Sequence, residues 1–454
     1  MKGTRRKFFC ALSLCLGLAA LPLSAASPSG EGGSMVLSLD DAVLHALENN
    51  LNLKKDLIDL SGAEYAANRL WSELFPAISG NASAAFSSSL FTGDGFDLNE
   101  QGQSFSLGLG ISLGLNAGIP YAMKNIRLAY QTRLLDYEDA RKQLEIQTTK
   151  DFYSLLAERD NLAYLTDIFN LTERQLAQNQ TAFNNGIVGE LTLMQSRLSV
   201  ENARYNLSAA SLAYASRMGE LLAALGIDQN TQAVLEGKIE ITRIDADAEE
   251  LIRNYLPQRP DIVSRRQEIE RLETAEKQIS LSTRGPALNL STQWTGRGSG
   301  RGADSFSDSV SGTATISIPI DPWISGTGKS QSVQNAKLAV DKAKLDLKIA
   351  EDAAKTQIRS LASNLRNSWN SIEIARLSQR VAERSYELTE QGFRNGTVES
   401  LALEDARNNL ASARQRLLQS ELAYQTMILD LSAALNINWK DLAKMIPGAS
   451  LENR

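Results

Sequence analysis

The sequence predicts a mainly α-helical protein with a membrane β part: a long coiled-coil-like helical barrel, joined by four β-strands from each chain. Three observations carry this prediction. The chain is one unit written twice, each unit holds some 60 residues free of glycine and proline, and each holds a run of alternating apolar and small residues.

The duplication organises the rest. Shifted by 210 residues, Phe183-Asn184-Asn185-Gly186-Ile187-Val188 falls on Phe393-Arg394-Asn395-Gly396-Thr397-Val398, and Leu212-Ala213-Tyr214 falls on Leu422-Ala423-Tyr424. From 183 to 227 the ungapped match holds 18 identities in 45 positions, too many for unrelated segments. A period this long signals duplicated domains rather than a short-repeat solenoid. It divides the chain into a first repeat at 35–227, a linker at 228–250, a second repeat at 251–437 and a tail at 438–454. Each repeat reads helix, strand, loop, strand, very long helix, turn, helix.

The long helices follow from what is missing. Neither glycine nor proline occurs between Tyr121 and Asn185 until the turn, nor between Lys329 and Gln391. At 1.5 Å per residue such a helix extends roughly 90 Å, well beyond the usual globular length. Ile126, Ala129, Tyr137, Ala140, Leu144, Phe152, Leu155, Leu162 and Leu165 recur at threes and fours. That is the narrow stripe of a coiled-coil-like helix. The return helices, 191–225 and 401–435, carry alanines that let neighbours approach closely. Asn185-Gly186 and Asn395-Gly396 mark the two hairpin tips, because glycine adopts the positive φ of a helix end at no steric cost.

The strands come from a period of two. Residues 105–115 set Phe105, Leu107, Leu109, Ile111, Leu113 and Leu115 against serines and glycines, and 310–320 do likewise with Ala314, Ile316 and Ile318. Their partners are 77–91 and 287–297. A strand of about ten residues with one apolar and one small polar face suits a membrane barrel, with Leu107, Leu109, Ile111, Leu113, Ala314, Ile316 and Ile318 toward lipid. The period alone equally fits a half-buried strand in a soluble sandwich. An export signal, the small polar face and the Gly/Asp/Ser/Asn-rich connections at 92–104 and 298–309 favour the membrane. Phe91, Phe105, Trp294 and Phe306 stand near strand ends, where an interfacial aromatic girdle would lie. Four strands leave two open edges, which lipid does not tolerate, and small barrels need eight strands. The strands must therefore close with other copies of the chain.

The N-terminus supplies the export signal. Lys2, Arg5, Arg6 and Lys7 precede an apolar run from Phe8 to Leu23, then small residues up to Ala26. This is the layout of a cleaved signal peptide, residues 1–26, and the run is short for a membrane span. Lipidation at Cys10 or Cys15 is the rival reading. Both cysteines fall inside the signal, so the exported chain has no thiol for disulfide or nucleophilic chemistry. Loss of four cations moves the formal charge from −6 to −10, which argues against a nucleic-acid partner. Mean hydropathy is −0.23, as expected where alternating strands average out.

Enzymatic chemistry finds no foothold. The single histidine, His45, has no companion ligand, and no Cys-His metal spacing, Gly-x-Ser-x-Gly or phosphate loop occurs. The Gly-rich stretch from Gly296 to Gly302 follows a strand without opening a helix, so it reads as a loop. No cofactor, metal or catalytic residue is expected.

Several segments resemble the TolC-like outer-membrane efflux protein family. Leu39-Asp40-Asp41-Ala42-Val43, followed by Ala46-Leu47-Glu48-Asn49-Asn50, resembles its opening helix. Leu74-Phe75-Pro76-Ala77-Ile78 is similar to its entry into the first strand, and Arg259-Pro260-Asp261-Ile262 to the start of its second half. The twin tips fall where that family turns back at the periplasmic end. The resemblance runs from Leu37 to Ile437. It implies a homotrimer whose strands form one 12-stranded transmembrane barrel above a helical tube in the periplasm. It implies a passive export duct for small molecules or proteins, working with an inner-membrane transporter and a periplasmic adaptor that contacts Asn185, Gly186, Asn395 and Gly396. The segment 228–250, with the tail, would form a belt around the tube.

Departures bear on the gate. The family carries two acids three residues apart after the second tip; here Ala402 takes the first place and Asp405 the second, with Glu404 beside it. A ring of Asp405 carboxylates would favour cations in a narrow pore, whereas an ordinary solvated helix face is the plain alternative. The strand-to-helix turns, Asn116-Ala117-Gly118-Ile119-Pro120 and Asp321-Pro322-Trp323-Ile324-Ser325-Gly326, also depart from the family wording, and Gly285-Pro286 replaces Phe-Pro. A periplasmic coiled-coil adaptor or scaffold is the alternative function, although it would carry one helical hairpin rather than two.

Overall fold

The computed structural model describes residues 35–88, 101–299 and 306–445. The expected signal peptide, both cysteines, Phe91 and the end of the tail lie outside them. The first repeat runs through strand β1 (Met35–Leu37), helices α1 (Leu39–Asn49) and α2 (Leu51–Ala67), strands β2 (Ala77–Ser88) and β3 (Gln101–Asn116), and helices α3 (Ile119–Asn184) and α4 (Glu190–Ala224). After β4 (Ala233–Leu235) and α5 (Ala248–Tyr255), the second repeat has α6 (Pro260–Arg284), β5 (Ala287–Ser299), β6 (Ser307–Ser317), α7 (Gly328–Arg394) and α8 (Ser400–Leu435), then α9 (Trp439–Met445).

The long helices are longer than the glycine-free windows. α3 has 66 residues and α7 has 67, each about 100 Å of helix. Pro120 sits in the first turn of α3, where a missing N–H costs nothing, and Thr327 caps α7 by accepting from the Ser330 N–H. Both helices end alike. The Ile187 N–H donates to the Ala182 carbonyl, and the Thr397 N–H to that of Gly392. Gly186 and Gly396 each stand at φ +73°. These are Schellman ends with glycine in the left-handed position, so the expected tips are present in both repeats.

The motif recurs where the return helices stop, with one change. Gly226 has φ +71° and its repeat counterpart Asn436 has φ +58°. A Cβ on Gly226 would come within 2.6 Å of the Asn49 Cβ, so no side chain fits there. Asn436 has room, and its amide oxygen accepts from Lys142 Nζ at 2.6 Å.

The four long strands form one antiparallel sheet in the order β2-β3-β5-β6, so the repeats join through β3 and β5. Strand limits differ from the sequence reading. β3 begins at Gln101 and β6 at Ser307, inside segments assigned to loops, because backbone pairing continues through small polar residues. β6 stops at Ser317, short of the expected 320, since Pro319 has no N–H to donate. Its other expected residue at this end, Ile318, lies just beyond the ladder.

The core sits at the middle of the long helices. Phe152, Leu155 and Leu156 of α3 pack with Leu221, Leu222 and Leu225 of α4, Leu37 of β1 and Leu235 of β4. The second repeat answers with Ile358, Leu365, Trp369 and Ile372 of α7 against Tyr424, Ile428 and Leu431 of α8. β1 pairs in parallel with β4, pinning the start of the chain to the inter-repeat linker. Arg159 of α3 donates to the Leu235 and Gly237 carbonyls at 2.8 and 3.0 Å. Tyr424 accepts from the Ile244 N–H at 2.9 Å and donates to the Thr242 carbonyl at 3.1 Å. Away from this girdle the α3 stripe is only half-buried, and most α4 alanines, including Ala209 and Ala213, are exposed.

Candidate functional site

The sheet separates two chemistries by register alone. Residues directly paired across strands share a face. Ile78 pairs with Ile111, Gly80 with Leu109, and Ala82 with Leu107. Leu109 pairs with Trp294 and Leu113 with Leu290; Trp294 pairs with Val310, Leu290 with Ala314, and Leu288 with Ile316. One face is therefore apolar and outward on the single chain, with Leu109 60% and Ile316 73% exposed. The other face carries Ser79, Asn81, Ser106, Ser112, Asn289, Ser291, Gln293, Thr313 and Thr315. The sequence-named residues Leu107, Leu109, Ile111, Leu113, Ala314 and Ile316 all lie on the apolar face. Ile78, Leu288 and Leu290 join them through their register with β3, and Val310 by its alternation with Ala314 and Ile316.

Aromatic residues gather toward one end of the sheet. The Phe105 and Phe306 rings stack with centroids 6.2 Å apart. A Cβ on Gly298 would lie 2.1 Å from Phe105 and one on Gly296 would lie 2.6 Å from Phe306, so both glycines are seats for rings. Trp294 Nε1 donates to Asp308 at 3.3 Å on the same face.

At the opposite end, the hairpins bring the gate candidates to separate environments. Asp405 is exposed on α8. Glu404 is half-buried and accepts from Ser199 Oγ of α4 at 2.7 Å. One turn on, Arg407 is buried to 7% exposure and donates to Gln175 of α3 at 2.5 Å. Thr172, Asn179 and Ser196 complete a polar layer between the hairpins, in which Asn179 donates to Ser196 at 2.6 Å. Among the described residues, Glu404 thus takes part in a hydrogen bond within the chain, and Asp405 makes no hydrogen bond or ion pair. The layer was not legible beforehand, because it joins α3 and α4 to α8, more than 200 residues away. The tip residues Asn185, Gly186, Asn395 and Gly396 are all exposed. The first tip continues as an apolar strip, Ile187, Leu191, Met194 and Leu198, from 57% to 74% exposed.

His45 is half-buried in α1. Among the described residues no group of three His, Cys, Asp or Glu side chains gathers as a metal site, and no helix is long and apolar enough to cross a membrane.

A duplicated chain with two long helical hairpins beneath an open, two-faced sheet has the design of a tubular membrane channel subunit. It belongs to the outer membrane efflux protein family, whose model matches residues 43–227 and 251–436, one match in each repeat. This places the chain in the outer membrane and favours a channel over an adaptor. Among solved structures it is similar to the CmeC outer membrane channel of Campylobacter jejuni, with TM-score 0.70 at 20% identity over 90% of this chain and 88% of that one. It is also similar to the outer membrane protein VceC of Vibrio cholerae, with TM-score 0.65 at 15% identity over 88% and 96%. The open-state MtrE channel of Neisseria gonorrhoeae gives 0.65 at 15% over 88% and 89%. These likenesses concern the fold. In sequence, the chain is 26% identical over 176 residues to toxin and drug export protein A of Aggregatibacter actinomycetemcomitans, which is 37% of this chain. The match spans 36% of that protein's length.

Proposed function

We propose that three copies of this chain form a passive export duct, with a 12-stranded barrel in the outer membrane and a helical tube in the periplasm. The observation that carries this is the two-faced sheet with both edges, β2 and β6, open on opposite sides. A head-to-tail ring pairs the β2 edge of one copy with the β6 edge of the next and leaves no edge in lipid. The apolar face then meets lipid, including Leu107, Leu109, Ile111, Leu113, Ala314, Ile316 and Ile318, and the hydroxyl-rich face lines water.

The helices support the same closure. Leu198, Tyr205 and Leu212 on α4 and Ile374, Val381 and Leu388 on α7 recur at sevens and are exposed in the single chain. Such stripes suit seams with neighbouring copies. The linker 228–250 and the tail from 438 form the belt between the two repeats, 35–227 and 251–437. The tips at Asn185-Gly186 and Asn395-Gly396 meet a periplasmic adaptor, and an inner-membrane transporter drives the cargo. Small molecules and proteins both remain within this reading. Asp405, exposed near the second tip, lines the periplasmic constriction, while Glu404 braces the hairpins behind it.

Cell fractionation tests the proposal. The protein is expected in the outer-membrane fraction as a trimer that falls to monomer on boiling. A soluble periplasmic monomer would contradict it and favour a scaffold.

A further inference from the structure

The described strands carry one charged residue on each face. On the apolar face it is Asp308, held by Trp294; on the hydroxyl-rich face it is Arg297. Arg297 pairs across the ladder with Ser106 on one side and Ser307 on the other, so only short side chains flank it. It is exposed, and makes no ion pair among the described residues. Asp308 does not pair with it, since the two project from opposite sides of the sheet. Arg297 also lies toward the end of the ladder away from the helices, between the row of Trp294 and that of Phe105 with Gly298, on the face opposite those rings.

We infer that Arg297 sets the charge selectivity of the outer mouth, as a ring of three guanidinium groups favouring anionic solutes. This rests on the trimeric barrel proposed above. The guanidinium stays charged across the working pH range, and rings of charged side chains in a pore select ions by sign. The hydroxyl-rich face around it is neutral at every other described position, so no carboxylate on that face pairs with it. The mouth would thus be opposite in sign to the Asp405 ring at the periplasmic end. The adjoining segments 89–100 and 300–305 contain Asp94, Asp97, Glu100 and Asp304 against Arg301; the variants below report whether these offset the ring.

The test is the reversal potential of the purified full-length protein in planar bilayers under a potassium chloride gradient. Arg297→Ser should lower the chloride-to-potassium permeability ratio roughly twofold at 0.15 M salt and several-fold near 0.01 M, because screening shortens the reach of the ring. Arg297→Glu should shift it further in the same direction, and Arg297→Lys should leave it near the wild-type value. Conducting Ser and Glu variants with unchanged ratios at both salt concentrations would overturn the inference alone. A wild-type protein that forms no pore would overturn the channel reading and this inference with it.

Discussion

Asp405 and Glu404 stand side by side in sequence, yet only one remains available to a pore. Glu404 is engaged by Ser199, while Asp405 is exposed. Replacing Asp405 with Ala should weaken block by multivalent cations added from the periplasmic side, measured as current inhibition; undiminished block would remove Asp405 from the lumen. Tyr424 offers a second test. Burial pushes its hydroxyl pKa up, so it stays a neutral donor and acceptor between Thr242 and Ile244. Tyr424→Phe leaves the Ile244 N–H and the Thr242 carbonyl unpaired, which should cost about 1–3 kcal/mol. Limited proteolysis should then cut faster within 228–250. At this scale the sequence was partly legible. The glycines of the tips announce their own conformation, but Arg407, Ser199 and Arg159 take their roles from partners brought close only by the fold.

At the scale of elements, legibility follows the strength of the period. The β3 alternation told its face outright, and the register carried that face to Ile78, Leu290 and Val310. Strand ends were less readable. Glycine and serine mark loops in most settings, yet here they extend β3 back to Gln101 and start β6 at Ser307. The ladder accepts those residues because backbone pairing, not the side chain, holds them. Swapping the character of one face tests the assignment. Leu109→Arg puts a guanidinium toward lipid at a cost of about 2–4 kcal/mol near the bilayer midplane, and should reduce heat-modifiable trimer in membranes. Ser291→Arg, on the opposite face, should leave trimer levels unchanged. Equal loss from both would mean the faces are not lipid and water.

The whole molecule is explained by incompleteness. Among the described residues, the single chain buries its two large core clusters around its middle, one holding Phe152 and the other Tyr424. Above it lies a sheet with two open edges, and below it helices with exposed apolar positions at sevens. Duplication gives each chain two hairpins and four strands, and in the proposed trimer rotational assembly would supply the rest. The four strands and their two open edges were legible in the sequence. The sequence left the lateral order of helices unread, because the contacts between α3 and α8, such as Lys150 with Asp430, join residues 280 apart.

Single-channel recording from purified wild-type trimer in planar bilayers addresses the central claim most directly. The account predicts discrete conductance steps, which the Asp405→Ala variant retains with altered cation block. A correctly assembled trimer that never conducts, with or without Asp405, would contradict it.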